Sequence, residues 1–564
     1  MRTYFHLLQI DVMKRYLSKQ IGRALFALIA CFSLLGTVCA QEYATNPNIW
    51  ADVPDMALLR VDDWYYMSST TMHMVPGVPI MRSKNLVDWE IAGYANDVLE
   101  DVDDLALRNG KSAYGAGTWA SSLRYKDGVF YLAVFAGTTG KTYIYTTRDV
   151  TGKWDVKSFR PMCHDCSLFF DDDGKTYLLY GVGDLRLTEL NDDLSGFKRG
   201  GFNDVVIRNA GAVAGGRIGL SAEGSQMFKR NGKYYVCNIS WPQGDMRTEI
   251  IFRADKITGP YEGRVIFKDR GIAQGTLVEK ADGDWVAYLF QDSGAVGRIP
   301  YLIPVKWEDD WPILGEDGKA PATLPIVKEG KPFGNIVESD EFDRSDDLVA
   351  KLNATPKEEN AYLREAFPLA WQWNHAPDCR YWSLTERPGW LRLTSGRVDA
   401  TLQQARNTIT QRTFGPTSSA TTALDFSKLN DGDYAGLTAF QRKYGFVGVT
   451  KRDGKFYVVQ AESETKRKID EDVVKENESI PLADDVSTVF LKIDCDFTNR
   501  KDDAYFYWSL DGEQWKRIGP SLHMLYTLPH FMGYRFGLFN YATSQSGGSA
   551  DFDYYRISAS IDAQ

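Results

Sequence analysis

Five segments between residues 55 and 289 share one pattern of apolar and polar positions. Each has a head residue, a short apolar run, a two-residue polar turn and a second run rich in Tyr, Phe and Val, a pattern typical of a β-hairpin. The segments are DMALLRVDDWYYMSS from Asp55, WASSLRYKDGVFYLAV from Trp119, DCSLFFDDDGKTYLLY from Asp165, EGSQMFKRNGKYYVCN from Glu223 and QGTLVEKADGDWVAYL from Gln274. Successive heads are 64, 46, 58 and 51 residues apart, and each interval can hold one four-stranded sheet.

The repeat predicts an all-β fold, because almost no segment before residue 330 has sustained helical periodicity. Five small sheets arranged radially form a five-bladed β-propeller, which protects most strand edges by closing on itself. The first strand of each blade then lines the central axis. We therefore expect the five heads to meet at one end of the channel.

The pattern lapses in a Pro- and Gly-rich stretch between Trp311 and Glu341. Beyond it, strand-like runs such as TVFLKIDCDF and YRFGLFNYA alternate with turns, which indicates a β-sandwich of the jelly-roll type. We predict a propeller over residues 41–330 and a β-sandwich over residues 338–564.

The composition is that of a folded protein, with 44% hydrophobic and 25% charged residues. The net charge of −10, with no cluster of Lys and Arg to offset it, argues against a nucleic-acid partner. The aromatic share of 13% suits a protein with many half-buried strands or one that stacks on sugar rings.

Residues 1–40 have the features of a signal peptide: a basic start, an apolar run from Ala24 to Gly36 that is too short to span a bilayer, and small residues before Gln41. We therefore predict an exported protein, periplasmic, secreted or attached to the cell surface, with no membrane span. A lipid anchor at Cys39 is an alternative. The C-x-x-C spacing of Cys163 and Cys166 leads straight into strand residues, so we interpret it as chance rather than as a redox or zinc motif.

Three of the five heads are carboxylic acids: Asp55, Asp165 and Glu223. Like charges gathered at one end of a channel cost stability unless a reaction or a cation uses them. Two carboxyl groups on opposite sides of a sugar, one acting as acid and the other as base or nucleophile, are the machinery of glycoside hydrolysis. The heads therefore predict a glycosidase.

The chain resembles glycoside hydrolase family 43 over about residues 45 to 315, through NPNIWADVPDMALLRVDDWYYMSS, HDCSLFFDDDGKTYLLYG, SAEGSQMFKRNGKYYV and GAVGRIPYL. The resemblance implies a five-bladed propeller that releases pentoses with inversion. It also implies that the sandwich is the concanavalin-A-like domain appended to many members, which packs on the propeller and can lend a loop to the pocket.

By this resemblance, Asp55 is the general base and Glu223 the general acid. Asp165 is the residue that orients the acid and raises its pKa. An ionised Asp165 near Glu223 would disfavour a second negative charge and keep Glu223 protonated.

Four further residues are candidates for substrate binding. Trp119 would form a wall of the sugar subsite, and Arg298 would contact substrate and the acids. His73 would either reach the pocket rim or be a structural histidine. Gln274 replaces a histidine that many family members associate with a central metal or water, so we predict no required cofactor and no metal ligands and leave a structural calcium ion as an alternative.

Together these features predict an exo-acting, inverting hydrolase that removes a terminal pentose from plant cell-wall polysaccharides or oligosaccharides. We favour α-L-arabinofuranose over β-D-xylose. Two alternatives remain: a non-catalytic carbohydrate-binding propeller, and acids that form a structural cation site.

Overall fold

The computed structural model describes residues 43–329, 336–466, 471–528 and 530–562, so the predicted signal peptide lies outside the described residues. Five separate four-stranded antiparallel sheets come first, and two larger sheets follow. The predicted all-β architecture, a five-bladed propeller followed by a β-sandwich, is confirmed.

Each blade consists of four strands that pair in chain order. Blade 1 contains β2 (Ala57–Val61), β3 (Trp64–Ser68), β4 (Gly77–Ser83) and β5 (Glu90–Asn96). Blade 2 contains β6 (Thr118–Lys126), β7 (Val129–Ala136), β8 (Lys141–Thr147) and β9 (Asp155–Phe159). Blade 3 contains β10 (Ser167–Phe170), β11 (Thr176–Tyr180), β12 (Leu185–Glu189) and β13 (Asn203–Ile207). Blade 4 contains β14 (Ile218–Arg230), β15 (Lys233–Pro242), β16 (Thr248–Ala254) and β17 (Glu262–Phe267). Blade 5 contains β18 (Ala273–Glu279), β19 (Trp285–Asp292), β20 (Arg298–Glu308) and β21 (Trp311–Leu314). A separate two-stranded sheet pairs β1 (Tyr43–Thr45) with β22 (Thr323–Val327).

The first strands of neighbouring blades contact one another around the ring, and β18 contacts β2 to close it. These strands therefore line the central axis. The turn after each first strand contains one or two residues with positive φ, such as Asp62, Asp127–Gly128 and Asn231–Gly232. All five of these turns lie at the same end of the propeller, so the heads lie at the opposite end.

The sandwich consists of a seven-stranded and a nine-stranded sheet. The first is ordered β23 (Gln372–Trp373), β26 (Ile409–Arg412), β36 (Arg535–Ala542), β28 (Asp433–Phe440), β29 (Gly445–Arg452), β30 (Lys455–Glu464) and β31 (Val473–Pro481). The second is ordered β24 (Trp382–Ser383), β25 (Leu391–Thr394), β37 (Ser549–Phe552), β27 (Thr417–Asp425), β32 (Thr488–Asp496), β33 (Asp503–Ser509) and β34 (Lys516–Arg517), with β35 (Leu522–His523) beside β33 and β38 (Arg556–Ser558) beside β27.

The described part of the chain contains one α-helix, α1 (Asp346–Ala354), which begins after Ser345, whose hydroxyl accepts a hydrogen bond from the N–H of Leu348. Among the described residues, 3₁₀ turns are formed by Asp104–Ala106, Ala210–Ala214, Gly294–Val296, Arg364–Ala366, Cys379–Tyr381 and Thr498–Arg500. None of these described helices has the length and apolar character needed to cross a membrane.

The sandwich packs against the head end of the propeller at blades 1, 2 and 5. The backbones of Val75 and Trp373 exchange two hydrogen bonds, of 3.0 and 2.6 Å. The N–H of Ala113 donates to Nε2 of His375 at 2.9 Å, and the N–H of Ala295 donates to Asp502 at 3.1 Å. The second domain therefore borders the end of the channel where the heads lie.

Candidate active site

The backbone at the blade heads has an unusual conformation. Asp55, Asp165 and Gln274 have positive φ values of 55°, 47° and 64°, and Glu223 is followed by Gly224 with φ of 68°. Non-glycine residues occupy this left-handed region at a cost of about 1–2 kcal/mol each. Four of the five heads thus share a local kink, and strain of this kind concentrates where a fold has to aim functional side chains.

Asp55 is held by an arginine from blade 5. Nη1 of Arg298 donates to both carboxylate oxygens of Asp55, at 3.0 and 3.2 Å. Both side chains are buried, with about 5% of each exposed. The pair fixes the orientation of the Asp55 carboxylate at the end of the channel.

Asp165 is tied to the backbone next to Glu223. Its Oδ2 accepts a hydrogen bond of 2.8 Å from the N–H of Gly224. Burial raises the pKa of Asp165 to about 7, and the negative charges of Glu223 and Asp55 add to this effect, while His164 opposes it. Asp165 therefore holds a proton more readily than an exposed aspartate does.

His164 joins two of the acids. Its Nε2 lies 3.3 Å from Oε2 of Glu223 and 3.6 Å from Oδ2 of Asp165. Burial lowers the pKa of His164, but the hydrogen bond to Glu223 and the charges of Asp165, Glu223 and Asp55 outweigh it, so that the pKa is raised. The structure thus brings Asp165 and Glu223 together at one imidazole, and Asp55 lies near enough for its charge to act on both His164 and Asp165.

The pocket is open to solvent at Glu223. The side chains of Glu223 and His164 are 22% and 25% exposed, whereas those of Asp165 and Asp55 are 5% and 6% exposed. A substrate oxygen can therefore reach Glu223 from solvent, and the two aspartates lie deeper.

An aromatic residue of the sandwich covers part of the pocket. The ring of Phe531 stacks on Trp119 with 5.1 Å between centroids and 17° between planes. The guanidinium carbon of Arg298 lies 4.9 Å from the centre of the Phe531 ring. Trp119 also lies 6.0 Å from the ring of His164. Trp119 and Phe531 therefore form one wall beside the acids.

Buried polar atoms near Asp55 lack partners within the described structure. They are Nε and Nη2 of Arg298 and the hydroxyl of Tyr526. Tyr526 lies close enough to Arg298 and Asp55 for their charges to affect its pKa. Unpaired buried donors are costly, so these atoms are suited to bind hydroxyl groups of a ligand.

The other two predicted substrate-binding residues, His73 and Gln274, are buried against other parts of the protein. His73 is 1% exposed, and its Nε2 lies 2.9 Å from the side-chain oxygen of Asn374 in the sandwich. His73 therefore does not reach the pocket rim, because the second domain covers it, and it is a structural histidine of the interface. Gln274 is 7% exposed and packs its side chain directly against Gly224, where an added Cβ would lie 2.7 Å from it. Gln274 supports the backbone next to Glu223.

The donor atoms of His164, Asp165 and Glu223 all lie within 4.8 Å of one another, which invites a test for a metal site. Calcium prefers six to eight oxygen ligands, whereas this set supplies an imidazole nitrogen and two carboxylates. The residues do not fit a calcium ion.

Three residues of this site were not predicted from the sequence: His164, Tyr526 and Phe531. His164 directly precedes Asp165, and a histidine next to a head residue could have indicated a site residue. We interpreted this stretch only through its C-x-x-C spacing. Cys163 and Cys166 are buried and not joined in a disulfide. Tyr526 and Phe531 come from the second domain, and no local pattern marks them.

Two family models match the chain. The model for glycosyl hydrolases family 43 matches residues 44–312, and the model for the beta xylosidase C-terminal Concanavalin A-like domain matches residues 361–558. The two matches together cover more than half of the chain.

Known proteins resemble the chain over most of its length. A beta-xylosidase of Formosa agariphila is 26% identical over 90% of this chain and 89% of its own length. A non-reducing end alpha-L-arabinofuranosidase of Bacteroides ovatus, BoGH43B, is 27% identical over 77% of this chain and 81% of its own. A solved structure described as a bifunctional GH43-CE protein of Bacteroides eggerthii is 54% identical with a TM-score of 0.86. The match covers 93% of this chain but only 64% of that protein.

Proposed function

Because the chain belongs to glycoside hydrolase family 43, we propose that it removes single terminal pentose units from plant cell-wall polysaccharides or their oligosaccharides, with inversion at the anomeric carbon. α-L-Arabinofuranose is the pentose we favour, and β-D-xylose is the alternative. Names of both kinds occur among its relatives, the arabinofuranosidase of Bacteroides ovatus and the beta-xylosidase of Formosa agariphila. The observation that carries the proposal is that Glu223 and Asp165 lie 3.3 and 3.6 Å from one imidazole, with Asp55, held by Arg298, near enough for its charge to act on this pair.

Asp55 is the general base in this mechanism. Its carboxylate is buried and oriented by Arg298, so it can accept a proton from a water that attacks the anomeric carbon. The unpaired donors of Arg298 and Tyr526 would bind hydroxyl groups of the terminal sugar.

Glu223 is the general acid, because it is the exposed member of the three and can reach the oxygen of the leaving group. Asp165 and His164 position it and share protons with it: Asp165 holds the N–H of Gly224, and His164 contacts the Glu223 carboxyl directly. Burial raises the pKa of Asp165, so in addition to acting as a charged neighbour of Glu223 it takes up a proton more readily than an ordinary aspartate would.

The wall formed by Trp119 and Phe531 supports exo action. A wall of two stacked rings on the side of blade 2 would limit access there, so that the end of a chain would enter more readily than its middle. The terminal sugar would then lie between this wall and the acids.

The test is hydrolysis of a panel of 4-nitrophenyl pentosides by the purified protein, with the anomer of the first product followed by NMR. We expect turnover of the α-L-arabinofuranoside, the β-D-xyloside or both, and a product of inverted configuration. Asp55→Asn and Glu223→Gln should each lower kcat/KM by about 10²- to 10⁴-fold, the range of general acid–base catalysis.

A matched control removes an acid that the mechanism does not use. Asp192, whose side chain is 94% exposed, can be changed to Asn without effect on turnover. A wild-type protein that hydrolyses no pentoside, yet binds glycan as well as both variants, would support the non-catalytic propeller. Product of retained configuration would contradict inversion.

Export is the remaining part of the proposal. The signal-like residues 1–40 support a periplasmic, secreted or surface location. Fractionation of cells that express the full chain, with and without these residues, tests it. Accumulation of both forms in the cytoplasm would contradict export.

A further inference from the structure

An exposed tryptophan, Trp241, lies near the end of β15, next to the hairpin that joins β15 to β16, on the head side of the candidate acid Glu223. In the register of blade 4, Glu223 lies opposite Ile239, and Trp241 follows two residues later on β15. At about 3.4 Å per residue, Trp241 stands about 7 Å beyond the acid, toward the head end of the propeller. It is 41% exposed, more than any other tryptophan of the described residues.

Neighbouring side chains hold the indole in one orientation. The indole N–H of Trp241 donates to the carbonyl oxygen of Asp245 at 2.7 Å. The guanidinium carbon of Arg247 lies 5.2 Å from the centre of the ring. Arg247 is itself anchored, since it forms an ion pair of 2.7 Å with Asp292 of β19. The exposed ring is therefore preorganised rather than free to rotate.

Arg247 also supplies an unused donor beside the ring. Its Nε is buried and has no hydrogen-bond partner within the described residues. An aromatic face next to an unpaired N–H suits a sugar ring, which offers C–H groups for stacking and hydroxyls for hydrogen bonds. The positive charge of Arg247 is already balanced by Asp292, so the surface favours a neutral sugar over an acidic one.

The leaving group of the substrate can extend into solvent on the side of the pocket where Trp241 lies. The sandwich contacts the propeller at His73 of blade 1, Tyr114 of blade 2 and Ala295 of blade 5. At the same end, blades 3 and 4 carry exposed apolar side chains, with Val182 at 45% and Met246 at 38%. Blade 4, which carries Glu223, is therefore open to solvent at this end, as is blade 3.

We propose that Trp241 and Arg247 form the acceptor subsite of the enzyme. The sugar that stacks on the indole is the neutral pentose of the polymer to which the terminal sugar was joined before cleavage. This inference rests on the proposed function, because Glu223 must protonate the oxygen that joins the two sugars. The second sugar then lies next to Glu223 on its solvent side, which is where Trp241 stands.

The test compares two substrates that differ only in whether they reach the subsite. One is a disaccharide or oligosaccharide with a sugar leaving group, β-1,4-xylobiose or an α-L-arabinofuranosyl xylo-oligosaccharide. The other is the fluoride of the same pentose, whose leaving group is too small to touch Trp241. The ratio of kcat/KM for the sugar substrate to kcat/KM for the fluoride isolates the acceptor contribution.

We expect Trp241→Ala to lower this ratio about tenfold, the effect of losing one aromatic stacking contact and its buried surface. Trp241→Tyr should retain most of the ratio, and Arg247→Ala should lower it because the ring loses its support. Tyr125→Ala is the matched control: Tyr125 is 42% exposed but lies near the opposite end of its blade, so its loss should leave both rates unchanged.

Two results would overturn the inference while leaving the proposed function intact. In the first, Trp241→Ala lowers both rates equally, which would mean that the residue acts on the fold or on the acids. In the second, the variant changes neither rate. A wild-type protein that cleaves neither substrate would contradict the proposed function, and the acceptor subsite with it.

Discussion

A cluster of three buried histidines at the interface of the two domains should make the protein labile to acid. The ring centroid of His73 lies 4.2 Å from that of His375 and 5.5 Å from that of His530, and all three residues are at most 1% exposed. Burial lowers the pKa of His73 to about 3, although its hydrogen bond to Asn374 opposes this, and burial lowers the pKa of His375 and His530 well below 6.5. The groups that face the cluster are Tyr114, Arg406 and Arg535.

The sign of the effect follows from proton binding. Below pH 6.5 each of these histidines binds a proton in the unfolded chain but not in the folded one, so the free energy of unfolding decreases as the pH falls. For His73 this penalty is about 1.4 kcal/mol at pH 5.5 and about 2.7 kcal/mol at pH 4.5, relative to pH 7.5. Buried carboxyl groups with raised pKa values, such as Asp165, act in the opposite direction. A comparison between the wild type and a single variant cancels their contribution.

The perturbation is His73→Gln, which removes the titrating ring and keeps an amide that can hydrogen-bond to Asn374. We expect the variant to lose some stability at pH 7.5 and to regain about 2.7 kcal/mol relative to the wild type by pH 4.5. Urea unfolding followed by tryptophan fluorescence at pH 7.5, 5.5 and 4.5 measures this. The same change at His523, which is 60% exposed, is the control. A difference between variant and wild type that stays constant over this pH range would refute the reasoning.

Three further predictions concern the pocket. Asp165→Asn should lower kcat on a pentoside by about 10²-fold or more with a small change in KM, because in the proposed mechanism Asp165 positions Glu223, the general acid. Phe531→Ala should raise KM about tenfold, since the wall that Phe531 forms with Trp119 opens; an unchanged KM would place this wall outside the sugar site. Asp52→Ala should destabilise the protein by about 2–4 kcal/mol in urea unfolding, because the carboxylate accepts two buried backbone N–H groups, one of them from Gly533.

The fold could be predicted because the information is local and repeated. Each hairpin of the propeller has its own turn residues and its own alternation of apolar and polar positions. Each of these patterns is weak alone, but five of them in succession predict a five-bladed propeller. The position of Asp55, Asp165 and Glu223 follows from the same repeat, since equivalent strands of a closed ring bring their first residues together. The kinked backbone at these heads could not be predicted, because Asp and Gln at positive φ follow no pattern that the sequence shows.

The parts of the site that escaped prediction depend on contacts between distant segments. Phe531 comes from a loop more than 300 residues after Asp165, and only the packing of the two domains places it beside Trp119. The same packing covers His73, whose position in a loop near the first head suggested a pocket residue. Arg298 was predicted from the family resemblance, and its bond to Asp55 spans 243 residues. Pairings at such separations require the three-dimensional structure.

Asp52 shows that the two domains build the pocket together. One carboxylate oxygen accepts the N–H of Arg298 at 2.7 Å, and the other accepts the N–H of Gly533 at 3.0 Å. One buried side chain thus fixes both Arg298, which binds Asp55, and the loop that carries Phe531. The acid-sensitive histidine cluster includes His530, the neighbour of Phe531 in that loop. Protonation of the cluster should therefore loosen the wall of the pocket before the blades unfold. As the pH is lowered, activity should be lost at a higher pH than the one at which the blades lose their structure.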